Sequence, residues 1–469
     1  MSANTAVAMR QSRVARGAVL ARLALRIGGR YIARSPRLVF ASVERRKELR
    51  HDLAFRTADD VAEELGAMKG VLMKLGQMAS YIYEDMPLTF RAAMSRLQHR
   101  APPMTPELAA TVIREEFGAG PEEVFTEWDA LPFAAASIGQ VHRAITKDGR
   151  AVAVKVQYPG IARSITSDLR NVGLLRRVVA AAFPGLDTRS FVDEVAERLK
   201  EEVDYVREAQ SQEMFATYYD GHPVIRVPHV VPELSTSRVL TTELVSGSSF
   251  DDLLTWSQHE RDLAAETIHR FVFRSLYRLH AFNGDPHPGN YLFHRGGRVT
   301  FLDFGLTKLF TDEDLAPLID AVRFLVIEKD YEAFRASLEK AGFLKAGAPV
   351  GTDIVVDRFG QFYGTVLQDA PMTLTPEYAS AIVRRFFDAR GPLAPYSDVP
   401  REYVIMQRIN LGLYAVLGSL HATANWRRIA EEIWPFRNGP PSTPIGEAEA
   451  RWEAGRQQRN PKSAKEVSS

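Results

Sequence analysis

Three polar landmarks in fixed order constrain this chain most. They are Lys155 at the end of the alternating run Val152-Ala153-Val154-Lys155, Asp285 followed five residues later by Asn290, and Asp303-Phe304-Gly305 after the apolar run Val299 to Leu302. A strand of alternating residues buries one face and presents the other, so Lys155 is expected at a fixed height above a sheet. Asp303 closes a second apolar run beside a glycine, which places a carboxylate at a sharp turn. A lysine suits phosphate oxygens, and the oxygen donors of Asp and Asn suit magnesium. Any one landmark is a common accident of sequence. The ordered set requires a fold that gathers distant strand ends.

At 469 residues the chain exceeds what one hydrophobic core usually serves. The pattern predicts an α+β, bilobal, protein-kinase-like fold with a helical N-terminal extension and a mostly helical C-lobe. Residues 131–158 read as a hairpin around Lys147-Asp148-Gly149. A helix is expected over Pro106 to Phe117 and another over Thr188 to Tyr218. Two β-rich runs follow, Val224 to Val231 and Ser237 to Val245, read as further strands of the N-lobe. Beyond Gly247 the spacing is mostly helical, interrupted by short β-rich runs between Gly284 and Gly305. Leu411 to Leu420 is too short to span a membrane and reads as a buried helix. The expected divisions are a basic arm over 1–50, a helical extension over 51–130, an N-lobe over 131–246, a C-lobe over 247–437 and a disordered tail over 438–469. The tail is assigned on its Pro, Ser, Gly, Lys and Glu content.

Val152 to Lys155 matches the strand signature in which protein kinases fix a lysine above the nucleotide phosphates. Asp285 with Asn290 matches the catalytic loop, and Asp303-Phe304-Gly305 the metal-binding turn. Where a glycine-rich loop is usual, this chain reads Phe133-Ala134-Ala135-Ala136-Ser137-Ile138-Gly139-Gln140. Alanine has less φ freedom than glycine, so this loop is expected to be stiffer. That loop, together with Lys74-Leu75-Gly76-Gln77, Glu202-Val203-Asp204, Val156-Gln157-Tyr158-Pro159-Gly160, Asp285-Pro286-His287-Pro288-Gly289-Asn290 and Thr241 to Gly247, resembles the UbiB/AarF atypical kinase family from about Glu63 to Leu309.

The resemblance implies an ATP or ADP site with Mg2+, metal held by Asn290 and Asp303, and Asp285 and Lys155 as catalytic groups. It implies that Lys74 and Gln77 of the extension enter the active site, and their spacing of three lets them share a helix face. Glu208 is the candidate partner of Lys155 on the long helix, and Glu202 or Asp204 the candidate contact of Lys74. Glu202 and Asp204 diverge on an ideal helix, so joint use requires a helix end or a distortion. The cofactor-binding set is Ala134, Ala135, Ala136, Ser137, Gln140, Lys155, Glu243 and Val245. His287, between prolines, is expected to orient its loop.

Composition bounds the remaining choices. Without cysteine there are no disulfides, thiolate zinc sites or cysteine nucleophiles. Residues 1–43 carry eight arginines and no lysine or acidic residue, against a chain-wide net charge of +1. Such an arm suits an anionic membrane, a solvated tail or a mitochondrial transit segment. No aromatic-interleaved basic surface accompanies it, and nucleic acid is not an expected partner. The resemblance implies support of quinone or other isoprenoid-lipid metabolism, with isoprenoid lipids or quinone-biosynthesis enzymes as partners. A cytoplasmic protein peripheral to the inner membrane is expected, with a mitochondrial location as the alternative; oligomeric state is left open. An active protein or small-molecule kinase and a non-catalytic nucleotide-sensing switch stand as competing functions.

Overall fold

Val152, Val154 and Val156 are each at most 1% exposed, and their alternation with Ala153 and Lys155 organises the first sheet. The computed structural model describes residues 104–459 apart from Ser137, 163–202, Asp285, 387–390, 394 and 398–399. It divides into two compact units, one from residues up to 207 with 230–244, the other from 208–229 with 245 onward. The basic arm, the extension up to residue 103 and the start of the helix expected from Thr188 lie outside the described residues.

In the first unit, helix α1 (Pro106–Phe117) buries Ala109, Val112 and Ile113, the spacing of one helical face. Proline occupies its first turn, and Gly118 at φ 73° closes it by donating its N–H to Arg114 O. A short helix, α2 (Pro121–Val124), leads to strands β1 (Glu127–Trp128), β2 (Ala134–Ala136), β3 (Gly139–Ile145) and β4 (Ala151–Gln157). The β3–β4 turn holds Gly149 at φ 85°, as an Asp-Gly turn requires. Helix α3 (Tyr205–Tyr218) begins here and runs into the second unit, which also holds strand β5 (Ile225–Arg226), before β6 (Val239–Glu243) returns to the first. The sheet runs β1-β3-β4-β6, antiparallel throughout, with β2 added on β3. At Gly139 a Cβ would stand 2.2 Å from Val156 O, so only glycine fits there. Arg238 fastens β6 to α1 through Glu115 and Glu116, each at 2.7 Å.

Two expectations need correction here. The helix expected from Thr188 to Tyr218 is broken at Val203-Asp204. The Asp204 carboxylate accepts from Arg207 N at 3.1 Å, so this residue starts α3 rather than lying inside a longer helix. Nor is Val224 to Val231 a strand of the first sheet. Ile225 and Arg226 pair in parallel with Val299 and Thr300, and only Val230 bridges to Thr242. Pro228 lacks the N–H that a continuous ladder needs and cuts the run in two.

The second unit is mostly helical. Helix α4 (Phe250–Leu254) and the long α5 (Gln258–Arg278) precede strands β7 (Ala281–Asn283), β8 (Tyr291–Phe293), β9 (Val299–Phe301) and β10 (Thr307–Leu309). Strand order is β5-β9-β8, with β7 and β10 forming a separate antiparallel pair. Then come α6 (Asp312–Val322), a π-helical segment over Arg323–Glu328, α7 (Tyr331–Lys340), α8 (Thr352–Gly360), strand β11 (Met372–Thr373), α9 (Pro376–Phe386) and α10 (Arg401–Ser419). Strand β12 (Thr423–Ala424) pairs with β11 before α11 (Trp426–Ile433) and α12 (Pro444–Arg459). The buried helix expected over Leu411 to Leu420 is the second half of α10, with Leu413, Leu417 and Leu420 fully enclosed. Among the described residues no helix is long and apolar enough to cross a membrane.

The expected disordered tail contains α12 instead. Ile445 and Trp452, seven residues apart, are buried at 5% and 7% exposure. Between them Glu449 accepts from Arg270 Nη1 at 2.8 Å and meets His222 Nε2 at 3.0 Å. Arg270, without exposed side-chain surface, also reaches Glu266 and Glu432 at 2.8 Å each. The Trp452 indole donates to Asp220 O at 3.0 Å. A buried guanidinium requires carboxylates, and α12 delivers one. Residues 460–469 lie outside the described residues.

Replacing one member of this cluster leaves its partners buried and unpaired. Glu449→Gln is expected to destabilise the protein by about 3 kcal/mol, read as a fall of several degrees in the thermal midpoint. Acid should act in the same direction. The neighbouring arginines and His222 outweigh burial and hold Glu449 at about 2, below the ordinary 4.5. Its contribution is complete above pH 4.5 and is lost as pH falls towards 2. Burial also lowers His222, and burial with Arg270 holds His269 at about 3, against an ordinary 6.5. Both imidazoles stay neutral when folded, so stability begins to fall below pH 6.5 as the unfolded chain takes up protons. A midpoint that is flat between pH 6.5 and pH 4 would contradict this assignment.

Candidate functional site

The landmarks divide between the two units, and each half has its own support. In the first unit, register decides which side chains share a face. Lys155 stands opposite Val141 on one side and Leu240 on the other, while Ala134 pairs with Val141 and Ala136 with Gly139. Directly paired residues point the same way, so Ala134, Ala136, Val141 and Lys155 lie on one face. The Lys155 ammonium sits 4.9 Å from the centre of the Tyr205 ring. Tyr205 is fully buried and was not among the expected site residues. Its place directly after Asp204 was the available signal.

Strand parity sends Gln140 and Ala135 to the opposite face. Gln140 is 1% exposed, and its carbonyl oxygen accepts from Met104 N at 2.8 Å. Its amide nitrogen must then donate to His142 Nε2 at 2.9 Å, which leaves His142 Nδ1 to donate to Asp129 O at 2.8 Å. Burial lowers the His142 pKa, in keeping with this neutral tautomer. Trp128 stacks on the ring at 4.5 Å. The expected nucleotide role of Gln140 is therefore corrected to a structural one, which joins β3 to the start of α1. Glu243 closes β6 opposite Val152, and Leu244 N donates to Ala151 O. Val245 begins the return to the second unit.

In the second unit, β7, β8 and β9 bring the remaining polar groups together. Asn290 ends a 3₁₀ turn over Pro288–Asn290 that His287 caps, its Nδ1 accepting from Gly289 N at 2.9 Å. That is the orienting part expected of His287. Leu302 N donates to Asn290 O at 3.0 Å, extending the β8–β9 ladder by one step and setting Asn290 beside the end of β9. Asp303 follows at once. Its carbonyl accepts from Asn283 Nδ2 at 2.7 Å, and its own carboxylate accepts from Gly305 N at 3.0 Å. Phe304 is fully buried against Phe215, with ring centres 4.8 Å apart.

Glu208 is 3% exposed, and its carboxyl lies 3.7 Å from where a Cβ of Gly305 would be. Helix α10 supports the loop from behind: a Cβ at Gly412 would approach Pro286 Cγ to 2.4 Å. Asp285, Ser137, Glu202, Lys74 and Gln77 lie outside the described residues. The oxygen donors of Asn290 and Asp303 are of the hard type that magnesium prefers, and a metal held largely through phosphate oxygens needs few protein ligands.

Known proteins align with this arrangement. Residues 96–338 match the ABC1 atypical kinase-like domain. The mitochondrial atypical kinase COQ8 of Saccharomyces cerevisiae is 30% identical over 283 residues, which cover 60% of this chain and 56% of that protein. The chloroplastic ACTIVITY OF BC1 COMPLEX KINASE 7 of Arabidopsis thaliana is 32% identical over 315 residues, 66% of this chain and 44% of that protein. The solved complex of Rv3197 with erythromycin from Mycobacterium tuberculosis is 30% identical with a TM-score of 0.60, covering 84% of this chain and 100% of the other. The chain spans about half the length of the curated relatives it matches. With a kinase-like α+β fold, and with the family domain matched over half its length, the chain belongs to the ABC1 atypical kinase-like family.

Proposed function

We propose that this protein binds ATP or ADP with Mg2+ and uses it, as an atypical kinase or ATPase, to support quinone or other isoprenoid-lipid metabolism at a membrane. The observation that carries the reading is the paired placement of Asn290 and Asp303, whose backbones are tied through Leu302 and Asn283. Two oxygen ligands fixed in this way meet a phosphate-bound magnesium without reorganising, and phosphoryl transfer depends mainly on such positioning. Magnesium would neutralise charge on the phosphate oxygens. Lys155 is the cation for those oxygens, the alanine-rich β2 and its turn supply backbone amides, and Asp285 is the catalytic carboxylate. Glu208 is the expected partner of Lys155, with Lys74 and Gln77 acting from the extension. The arginines of residues 1–43 are the membrane contact, at about 1 kcal/mol for each one near anionic lipid.

The test is turnover of ATP by purified protein with magnesium, with and without anionic liposomes. Turnover is expected to rise with liposomes and to fall by about 100-fold or more in Asp303→Asn. Binding of nucleotide without turnover under both conditions would replace this reading with a nucleotide-sensing switch. Transfer to an added acceptor that shows little loss in Lys74→Ala, with nucleotide behaviour intact, would favour an ordinary kinase.

Gly412→Ala tests the support behind the catalytic loop. The new methyl must displace Pro286, and a shift of about 1 Å beside a catalytic group is enough to cost up to about 100-fold in rate. A small loss of thermal stability with a disproportionate loss of kcat is expected. Equal kcat in the two proteins would show that Pro286 does not transmit this contact.

A further inference from the structure

The second unit contains a cavity built largely by helices that none of the landmarks occupies. Its volume is about 120 Å³, close to the roughly 150 Å³ of an apolar cavity that takes up benzene. Phe273, Leu276 and Tyr277 of α5, Phe359 of α8 and Trp434 after α11 make its wall largely apolar. No lysine, arginine, aspartate or glutamate lines it among the described residues.

Hydroxyl groups such as those of Thr365 and Tyr414 also line the cavity, and two other polar side chains there keep a buried atom without a partner. His269 is 3% exposed, and its Nδ1 has no hydrogen-bond partner among the described residues. Asn410 Oδ1, also on the lining, is equally without one. The His269 ring is held between Phe273, 4.5 Å away, and Trp426, 5.2 Å away, so it cannot turn freely in search of a partner. Leaving such groups unpaired is costly in an interior, and a ligand that pairs them recovers that cost.

The wall beside them is irregular. Directly after Val322, a lining residue, the chain widens into the π-helical segment Arg323–Glu328, which Lys329 closes at φ 56°. Arg427 Nη1 donates to Val326 O at 3.3 Å and to Val366 O at 3.0 Å, tying this segment to the lining at Val366. Short π-helical turns recur at binding sites because they displace side chains from the regular helical path.

We infer that this cavity is a binding site for a neutral molecule with an apolar body and one hydroxyl group, an apolar alcohol. The apolar wall takes the body. The hydroxyl meets His269 whichever nitrogen carries the proton, because it both donates and accepts. A carboxylate or an amine finds no counter-charge there, and burying either unpaired is strongly unfavourable. The site is separate from the nucleotide reading above and stands whether or not that reading holds.

Calorimetric titration of the full chain with 1-octanol, 1-chlorooctane and octanoate tests it, without nucleotide. Saturable binding of 1-octanol is expected, about tenfold tighter than 1-chlorooctane, and none of octanoate. Ala430→Leu and Val366→Met, two independent ways of filling the lining, should each abolish the saturable phase while the thermal midpoint shows a folded protein. His269→Phe should keep 1-chlorooctane binding and erase the preference for the alcohol. Non-saturable heats with the unsubstituted protein overturn the inference. So do octanoate binding as tight as octanol, and unchanged affinity in both filled variants. An alcohol preference that survives His269→Phe removes His269 from the site and overturns its assigned part.

Discussion

Arg270 brings a positive charge to a place where its side chain has no exposed surface, and much of the second unit is arranged to answer it. An unpaired guanidinium there would cost several kcal/mol. Three carboxylates meet it, each from a different segment: Glu266 one turn earlier on the same helix, Glu432 on α11 and Glu449 on α12. The geometry is met only when both later helices pack on α5. Arg274, one turn on, repeats the demand through Glu449 and Glu453 and lies over the Trp452 ring. The net driving force comes from burying Ile445, Trp452 and Trp426, since buried ion pairs roughly balance their own desolvation. The charges decide where those apolar residues go.

Around the candidate site the fixing is done by backbone groups more than by side chains. Asn290 is placed by its carbonyl, Asp303 by its carbonyl and by the amide two residues on, and His287 by an amide it accepts from. Backbone geometry has few soft torsions, so groups held in this way lose little freedom when a ligand arrives. Glycine matters where the approach is closest. Gly139 beside Val156 O and Gly412 beside Pro286 are positions at which even a methyl group has no room.

Much of this was legible in the sequence because its signals are local. Proline at its start and glycine at its end bounded α1, an Asp-Gly turn marked the β3–β4 hairpin, and the run into Asp303 announced β9. What failed was long-range. The 438–469 segment has a composition that suggests solvation, yet two apolar residues seven apart and one acid between them are enough to seat a helix when buried arginines wait elsewhere. No local window contains both Arg270 and Glu449. Gln140 failed for a different reason. Reading the alanine-rich stretch as one cradle ignored strand parity, which places Gln140 and Lys155 on opposite faces. Pro228 was a local signal against a continuous strand from Val224 to Val231, and there the hydrophobic run outweighed it.

Two helices of the second unit serve both the cavity and the candidate site, and this follows from their periodicity. Helix α10 turns Asn410 and Tyr414, four residues apart, towards the cavity, while Gly412 between them faces Pro286 of the loop that carries Asp285. Helix α5 lines the cavity with His269, Phe273 and Tyr277, and three residues after its end Ala281 starts β7, whose Asn283 holds Asp303. A packed interior moves helices as units rather than side chain by side chain. Filling the cavity therefore bears on the two elements that support Pro286 and Asp303. The contact at Gly412 has the least room to absorb such a movement.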